Sequence, residues 1–483
     1  MVLATATSIT FLYAMTVSIA SVSLPQMQGS LSATQDQIAW VVTFNIVATA
    51  VVTPRSGWLA GRFGQRNLVL GSVVLFALAS LACGLATSLE SLIAFRIMQG
   101  GFGAPLVPIS QAIVLQTYPK AQHGSATAVF GMGVVMGPIF GPVVGGYLSE
   151  MYNWRWVFFM ILPFTVVALI GAWLFIHDVV ARSRARLDWT GLLALTVSLI
   201  CLQLMLDRGE RLGWFESWEI IAYGVTCLTS FYIFIAHCMT TDAPFLPLGL
   251  LTNRNYVVGL LTVLVFGMLN FTPMTLLPPL LQNLGGHPDS IIGFILGARG
   301  LGTLTGFFLM FYLSHLEPRI LLAAGFLIQA LSGWMMAQMD ANLPIETLSL
   351  SIYLQGLGVG ILWVPISIVA FSTLPQKLVA DGTAFFHLLR NLGSSVHISL
   401  SVALVIHSAK ASYAGLTEHV SEFNEAWSLP WVTGAWRLDT TTSLAALSGE
   451  LSRQASMISY INSFYFFSAT ALMVLPLIFL VRR

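Results

Sequence analysis

Long apolar segments dominate the chain, and polar residues cluster in the short stretches between them. A helix that crosses a bilayer needs about 20 mostly apolar residues, and fourteen segments of the sequence meet this requirement. We therefore predict an all-α integral membrane protein with about fourteen transmembrane helices. The predicted spans, numbered 1 to 14, cover residues 3–24, 36–58, 67–88, 91–115, 124–148, 154–177, 188–206, 217–240, 256–283, 288–314, 319–340, 346–373, 380–407 and 457–481.

An internal repeat divides these spans into two groups. The pattern Gln99-Gly100 … Val107-Pro108-Ile109-Ser110 returns as Gln355-Gly356 … Val364-Pro365-Ile366-Ser367, so span 4 aligns with span 12. Two plain six-helix halves would align span 4 with span 10, and chance similarity is the alternative explanation. Parallel repeats of this kind are common in secondary transporters. We predict an N-terminal six-helix half over 1–180, two inserted helices over 181–245, and a C-terminal half over 246–483 that contains an outer loop over 408–456.

Composition narrows the class of protein. Only 8% of the residues are charged, against roughly 25% in soluble globular chains. The net charge of +1 argues against a nucleic-acid partner. The four cysteines lie in apolar runs, and no nucleophile–base pair, metal cluster or phosphate loop is recognisable. We therefore expect no enzymatic activity, no metal and no cofactor.

The positions of the cations predict the orientation in the membrane. If both termini are cytoplasmic, the cytoplasmic loops hold 11 of the 21 Lys and Arg residues, the outer loops hold 6 and the spans hold 4. The opening segment lacks a basic n-region and a small-residue cleavage site, so we expect a retained helix rather than a signal peptide. The cytoplasmic set is Arg62, Arg66, Lys120, Arg182, Arg184, Arg186, Arg254, Arg319, Lys377, Arg482 and Arg483.

Three motifs combine glycine with basic or proline residues. The loop after span 2 reads Gly57-Trp58-Leu59-Ala60-Gly61-Arg62-Phe63-Gly64-Gln65-Arg66, in which the glycines allow tight turns and close helix approach. Span 4 carries Arg96 ahead of Gln99-Gly100-Gly101. Small residues on one face of span 5 favour close packing of membrane helices, and generic small-residue packing is the alternative to a specific motif. The span 5 residues are Gly133, Gly137, Pro138, Gly141, Pro142, Gly145 and Gly146.

These motifs resemble those of the major facilitator superfamily. The first resembles its signature loop, the second a motif whose Arg is linked to proton transfer, and the third a motif typical of antiporters. With fourteen spans, the chain resembles the fourteen-helix drug:proton antiporters of the EmrB/QacA type, in particular EmrB. Further matching segments are Trp154-Arg155-Trp156, Asp188-Trp189-Thr190-Gly191, Leu206-Asp207-Arg208-Gly209, Leu281-Gln282 and Arg390-Asn391-Leu392-Gly393-Ser394.

The resemblance implies a major facilitator fold in the bacterial inner membrane and export of hydrophobic compounds that are often weak acids. It also implies a periplasmic adaptor and an outer-membrane channel as partners. Two family acids are missing, because Thr16 and Gly61 stand where the family has aspartates. Carboxylate-based proton coupling is therefore the part of the resemblance that this sequence supports least.

Buried charge suggests what the central pathway contains. Every acid lies at a span end or in a loop, whereas Arg299 and Arg390 each lie about ten residues inside a span, roughly 15 Å deep at 1.5 Å per residue. A central Arg is costly unless it faces a cavity or a partner. We predict an electropositive substrate cavity, with Arg bonded to backbone carbonyls at helix breaks as the alternative. The candidate cavity residues are Arg299, Arg390, Asn391, His387, Asn270, Trp40 and Trp363.

The leading hypothesis is a secondary active exporter of hydrophobic, anionic or weakly acidic molecules that works by alternating access with proton antiport. Arg96, Asp36 and His387 are the proton-coupling candidates, His387 because a free imidazole titrates near pH 6.5. Two alternatives stay open. One is a transporter-like membrane receptor or sensor that lacks coupling, and the other is a proton-independent facilitator or uptake carrier.

Overall fold

The computed structural model describes residues 1–33, 35–177, 188–241, 248–287, 289–340, 344–420, 424 and 440–480. Helices account for nearly all of these residues. Six of the Lys and Arg residues lie outside the described residues, namely Arg182, Arg184, Arg186, Arg437, Arg482 and Arg483.

The helices fall into three groups along the chain. The first half contains α1 Val2–Val22, α2 Leu24–Ser30, α3 Gln35–Val52, α4 Ser56–Phe63, α5 Gln65–Gly84, α6 Leu89–Gly103, α7 Leu106–Thr117, α8 His123–Met151, α9 Trp156–Phe159 and α10 Ile161–Phe175. Between the halves come α11 Trp189–Arg208 and α12 Trp218–Thr240. The second half contains α13 Arg254–Asn283, α14 Asp289–Leu313, α15 Pro318–Ala337, α16 Ile345–Phe371, α17 Val379–Glu418, α18 Thr441–Met473 and α19 Leu475–Ile478.

Twelve of the described helical segments are long and apolar enough to cross a membrane. The chain is therefore a multi-pass membrane protein. The twelve do not include α1 and α3, which coincide with predicted spans 1 and 2. The total of fourteen stays a prediction.

The outer part of α17 departs from the sequence expectation. A loop is predicted over 408–456, but helix continues to Glu418 and resumes at Thr441. The 40 residues of α17 extend about 60 Å at 1.5 Å per residue, twice the hydrocarbon thickness. The hydropathy pattern predicts the helix only as far as its apolar residues extend. The segment that follows is more polar, but its alanines still favour helix. Asn462 in α18 donates to Ser408 in α17 at 2.6 Å, which ties the two helices together.

Close helix packing builds each half. In the first half, Gly133, Gly137 and Gly145 of α8 all lie against α1, where an added Cβ would come within 2.6 Å of another atom. In the second half, Gly267 of α13 lies against the backbone carbonyl of Arg390 in α17. These glycines therefore set how closely the helices approach.

The halves meet along α8 and α14, and through α7 and α4 against α17. The contacts with α7 and α4 lie at the end of the bundle that the cation pattern predicts as cytoplasmic. Lys120 donates there to the carbonyl of Ser372 at 2.8 Å, and Gln116 donates to the carbonyl of Gln376 at 3.3 Å. The two halves are therefore closed together at the predicted cytoplasmic end.

Candidate functional site

A cavity of about 520 Å³ lies between the two halves. This volume is within the range of roughly 300–1,000 Å³ that is usual for small-molecule sites. The cavity is lined mostly by apolar side chains with a few polar groups among them. The lining residues are Tyr13, Ala14, Val42, Asn45, Ile46, Thr49, Ala50, Val107, Val134, Pro138, Leu199, Gln203, Asn270, Phe271, Met274, Thr275, Leu388, Arg390, Asn391, Leu392, Ser394, Ser395 and Ile398.

Arg390 is the charged residue of the cavity wall. Its guanidinium lies 5.6 Å from the centre of the Trp363 ring and donates to Asn391 Oδ1 from Nη2 at 3.1 Å. Among the residues that the structure describes, no carboxylate forms an ion pair with it. A half-buried guanidinium has five N–H donors, so Arg390 keeps donors available to a bound molecule.

The polar groups around Arg390 come from helices of both halves. Asn270 of α13 and Asn45 of α3 line the cavity. Tyr13 shares a hydrogen bond of 2.9 Å with Thr49, and Thr49 donates to the carbonyl of Asn45 at 2.9 Å. The cavity wall therefore contains three residues of the predicted cavity set: Asn270, Arg390 and Asn391.

Arg299 lies behind the cavity wall instead of on it. Its side chain is 1% exposed, and the described lining does not contain it. Nε donates to Gln355 Oε1 at 2.7 Å, and Nη2 donates to both the backbone and side-chain oxygens of Asn270 at 2.7 Å. The depth of Arg299 along the span correctly predicts that it is buried. Its hydrogen bonds connect α14 with α13 and α16, so the side chain has a structural role. We therefore leave it out of the proposed substrate site.

Arg299→Gln is expected to lower stability without acting on substrate directly. The shorter side chain cannot reach all the acceptors, and hydrogen bonds to charged groups contribute about 1.5–3 kcal/mol each. We expect a loss of about 3 kcal/mol or more in the free energy of unfolding. The measurement is thermal unfolding of the detergent-solubilised protein. Arg390→Gln is the matched control and should melt close to wild type, and equal melting of both variants would contradict the assignment.

The first half contains a corresponding buried pair. Arg96 is fully buried, donates from Nη1 to Gln99 Oε1 at 2.6 Å, and donates from Nε to the carbonyl of Val41 at 3.1 Å. Its Nη2 has no partner among the described residues. Gln99 and Gln355 are the residues aligned by the sequence repeat, so each half holds a buried Arg–Gln pair. Arg96 therefore lies inside the first half and not at the cavity surface.

His387 joins the halves below the cavity. Its Nε2 donates to Gln111 Oε1 of α7 at 2.6 Å, and Nδ1 is buried without a partner among the described residues. The Trp363 ring lies 5.9 Å from the His387 ring, with an indole Nε1 that is likewise buried and unpaired. The Trp363 indole therefore lies close to both Arg390 in the cavity and His387 at the contact with Gln111.

The signature loop lies against the start of α17. Gly57 is so close to Asp381 that an added Cβ would overlap the carboxylate. Gly64 has φ +85°, a conformation that favours glycine. Arg66 donates to the carbonyl of Trp173 at 2.9 Å, and Arg62 is exposed. An acid is absent at position 61, whereas Asp381 of the opposite half lies against Gly57, four residues earlier in the same motif.

The remaining predicted residues have varied positions. Pro138 lines the cavity and Gly141 is buried in α8, whereas the side chain of Pro142 is outside the described set. Trp40 is 37% exposed and contacts Phe44 instead of the cavity. The side chain of Asp36 is also outside the described set.

The sequence pattern does not predict several residues of the cavity and of the contact between halves. Tyr13, Leu199 and Gln203 line the cavity, while Gln111 and Asp381 belong to the contact between halves. An alignment of the two repeats gives no sign of such contacts, because they join helices that are not equivalent. Among the described residues, no group of His, Cys, Asp or Glu is arranged to hold a metal ion.

Comparison with known proteins shows which family the chain resembles. The family model of the Major Facilitator Superfamily matches residues 6–397. The chain is 33% identical over 418 residues to the multidrug export protein EmrB of Escherichia coli K12, covering 86% of this chain and 82% of that relative. It is 32% identical over 418 residues to the fatty acid resistance protein FarB of Neisseria gonorrhoeae, with the same coverage.

Solved structures share the fold at low sequence identity. The proton:xylose symporter XylE superposes with a TM-score of 0.64 at 12% identity, over 98% of this chain and 94% of that one. The human organic anion transporter MFSD10 superposes with a TM-score of 0.61 at 13% identity, over 99% of both chains. At these identities the likeness establishes the architecture alone.

Proposed function

Because this chain belongs to the major facilitator superfamily and is an efflux transporter related to EmrB, we propose that it exports anionic or weakly acidic amphiphiles by proton antiport. The single observation that carries the choice of substrate is Arg390, a cation on the cavity wall with no described carboxylate paired to it. Its role is that of a binding group in a carrier, and no enzymatic step is proposed.

The chemistry of the cavity supports an amphiphile. A cation in a largely apolar environment is stabilised by an anionic group close to it. The apolar lining offers contact to a hydrocarbon body, and such contact is worth roughly 25 cal/mol per Å² of buried apolar surface. FarB is named for resistance to fatty acids, which combine a carboxylate with a hydrocarbon chain. The neighbours Asn391, Asn270 and Asn45 supply further polar contacts.

The proposed transport cycle rocks the two halves about the cavity. We place the protein in the bacterial inner membrane with both termini in the cytoplasm, following the cation pattern. The contacts of α4 and α7 with α17 then form a closed cytoplasmic gate. A periplasmic adaptor and an outer-membrane channel complete the proposed export route.

For proton coupling we propose His387 ahead of Arg96 and Asp36. His387 is held between the halves by its bond to Gln111, and its Nδ1 is unpaired. Opening of the gate separates His387 from Gln111 and brings the ring into contact with water, where an imidazole can exchange a proton. Arg96 is enclosed within the first half, and a guanidinium stays protonated under ordinary conditions.

His387→Gln is expected to abolish substrate-driven proton movement while substrate binding persists. The measurement uses proteoliposomes with a pH-sensitive dye inside and octyl sulfonate as substrate, because a sulfonate cannot carry the proton itself. His397→Gln is the matched control, since His397 is a buried histidine bonded within the second half to Thr272 at 2.8 Å. Unchanged proton movement in His387→Gln would contradict the assignment of His387.

Wild-type protein in the same vesicles tests the proposed function itself. Octyl sulfonate is expected to drive proton movement that octyltrimethylammonium does not. A receptor or sensor without transport would move neither substrate. A proton-independent facilitator would move substrate without protons, and either result would overturn the proposal of proton antiport.

A further inference from the structure

The two seams between the halves are closed in different ways. On one side, α8 packs directly on α14. Gly300 of α14 lies close to Ile139 of α8, where an added Cβ would be 3.0 Å from its side chain, and Gly131 of α8 meets Phe307 and Trp363. The repeat relates the α8–α14 seam to a seam between α3 and α17. A symmetric pair of halves would therefore pack α3 directly on α17.

The inserted helix α11 lies in that second seam. It packs against α3 on one side and α17 on the other. Thr43 of α3 donates to the Asp207 carboxylate at 2.8 Å, and Ser399 of α17 donates to the carbonyl of Leu206 at 2.9 Å. Farther along, Arg55 donates to Thr196 of α11 at 3.0 Å. Polar bonds to both halves thus hold α11 between them.

One face of α11 reaches the cavity. Leu199 and Gln203 line it, and residues four apart lie on the same side of a helix. A different side of α11 carries Leu193, which is 53% exposed and is not among the lining residues of the cavity. α12 packs on α11 as well, with Ser198 and Cys227 3.5 Å apart. The inserted helices are therefore more than a linker between the halves.

We propose that α11 is a wall of the substrate site and that Leu199 and Gln203 limit the size of the molecule that fits. By lying between α3 and α17, α11 enlarges the space that two directly packed halves would leave. The proposal concerns molecular size and is independent of the proposed preference for anions.

The test introduces bulk on the cavity face of α11. Leu199→Trp and Gln203→Trp are compared with wild type for export from proteoliposomes of two sulfonates, hexanesulfonate and taurodeoxycholate. Two cations, tetraethylammonium and ethidium, are run in parallel. Overpacking costs about 1–3 kcal/mol, so we expect export of the bulky member of the transported charge class to fall about five- to a hundred-fold. Export of the small member should stay close to wild type.

Leu193→Trp is the matched control on the exposed face and should leave the ratio of bulky to small substrate unchanged. Gln203→Ala should raise that ratio, which keeps the proposal testable even if the tryptophan variants fold poorly. The proposal would be overturned if Gln203→Ala and the folded tryptophan variants kept the wild-type ratio of bulky to small substrate. It would also be overturned if Leu193→Trp lowered this ratio as much as Leu199→Trp and Gln203→Trp do. Transport of cations alone would refute the proposed anion preference and still leave the size test intact.

Discussion

Replacing Arg390 with glutamine is expected to lower the export of octyl sulfonate by about ten- to a hundred-fold. The reason is the loss of a charge-assisted bond, which contributes about 1.5–3 kcal/mol, equivalent to roughly one to two factors of ten in affinity. Arg390 lines the cavity, and its described contacts are Asn391 and the face of Trp363. The substitution therefore removes a binding group and the contact with Trp363, but no described hydrogen bond between helices. The measurement is initial export rate in proteoliposomes at equal amounts of reconstituted protein.

Two controls separate charge from general damage. Arg390→Lys keeps the charge but loses the planar fork, so it should retain more export of the sulfonate than Arg390→Gln. Arg453→Gln removes a cation that pairs with Glu450 at 2.9 Å on α18, away from the cavity, and should have no effect. Equal rates for wild type and Arg390→Gln would contradict the role of Arg390 in binding anions.

Gly57→Ala is expected to slow turnover by hindering closure of the proposed cytoplasmic gate. An added Cβ would overlap the Asp381 carboxylate and come within 2.8 Å of Asp381 Cα, so α4 and α17 would have to separate. Overpacking of a close contact costs about 1–3 kcal/mol, and we expect a loss of transport rate of about five- to a hundred-fold. Substrate binding should persist, because Gly57 is not among the lining residues of the cavity. Comparison of binding and transport at equal protein amounts measures the difference.

A second substitution tests whether the overlap is the cause. Gly57→Ala combined with Asp381→Ala should recover part of the lost transport, since the overlapping carboxylate is gone. Gly71→Ala on α5 is the control, because an added Cβ there meets nothing within 4 Å. Normal transport in Gly57→Ala, or no recovery in the double variant, would show that this contact does not govern the gate.

Composition and spacing were sufficient for the architecture, because an apolar stretch of about 20 residues in a bilayer has few alternatives to a helix. They did not give the extent of α17. Its outer segment is held by helix propensity and by pairing with α18, as in the bond between Asn462 and Ser408. The hydropathy pattern responds to neither of these effects.

The site was predictable only in part, for a similar reason. Arg299 and Arg390 have the same depth along their spans, yet Arg299 is 1% exposed and bonded to Asn270 and Gln355, whereas Arg390 faces the cavity. The direction of a side chain depends on neighbouring helices that the sequence does not place. The same limit applies to Asp381. Its position near a helix end does not indicate a role, and only the structure shows that it contacts Gly57.

The proposed preference for anions rests on Arg390 in a mostly apolar cavity, and a matched pair of substrates tests it most directly. Octyl sulfonate and octyltrimethylammonium share a chain and differ in the sign of the head group. With wild-type protein in proteoliposomes, we expect export of the sulfonate at a rate several-fold above that of the ammonium compound. Equal rates, or faster export of the ammonium compound, would contradict it.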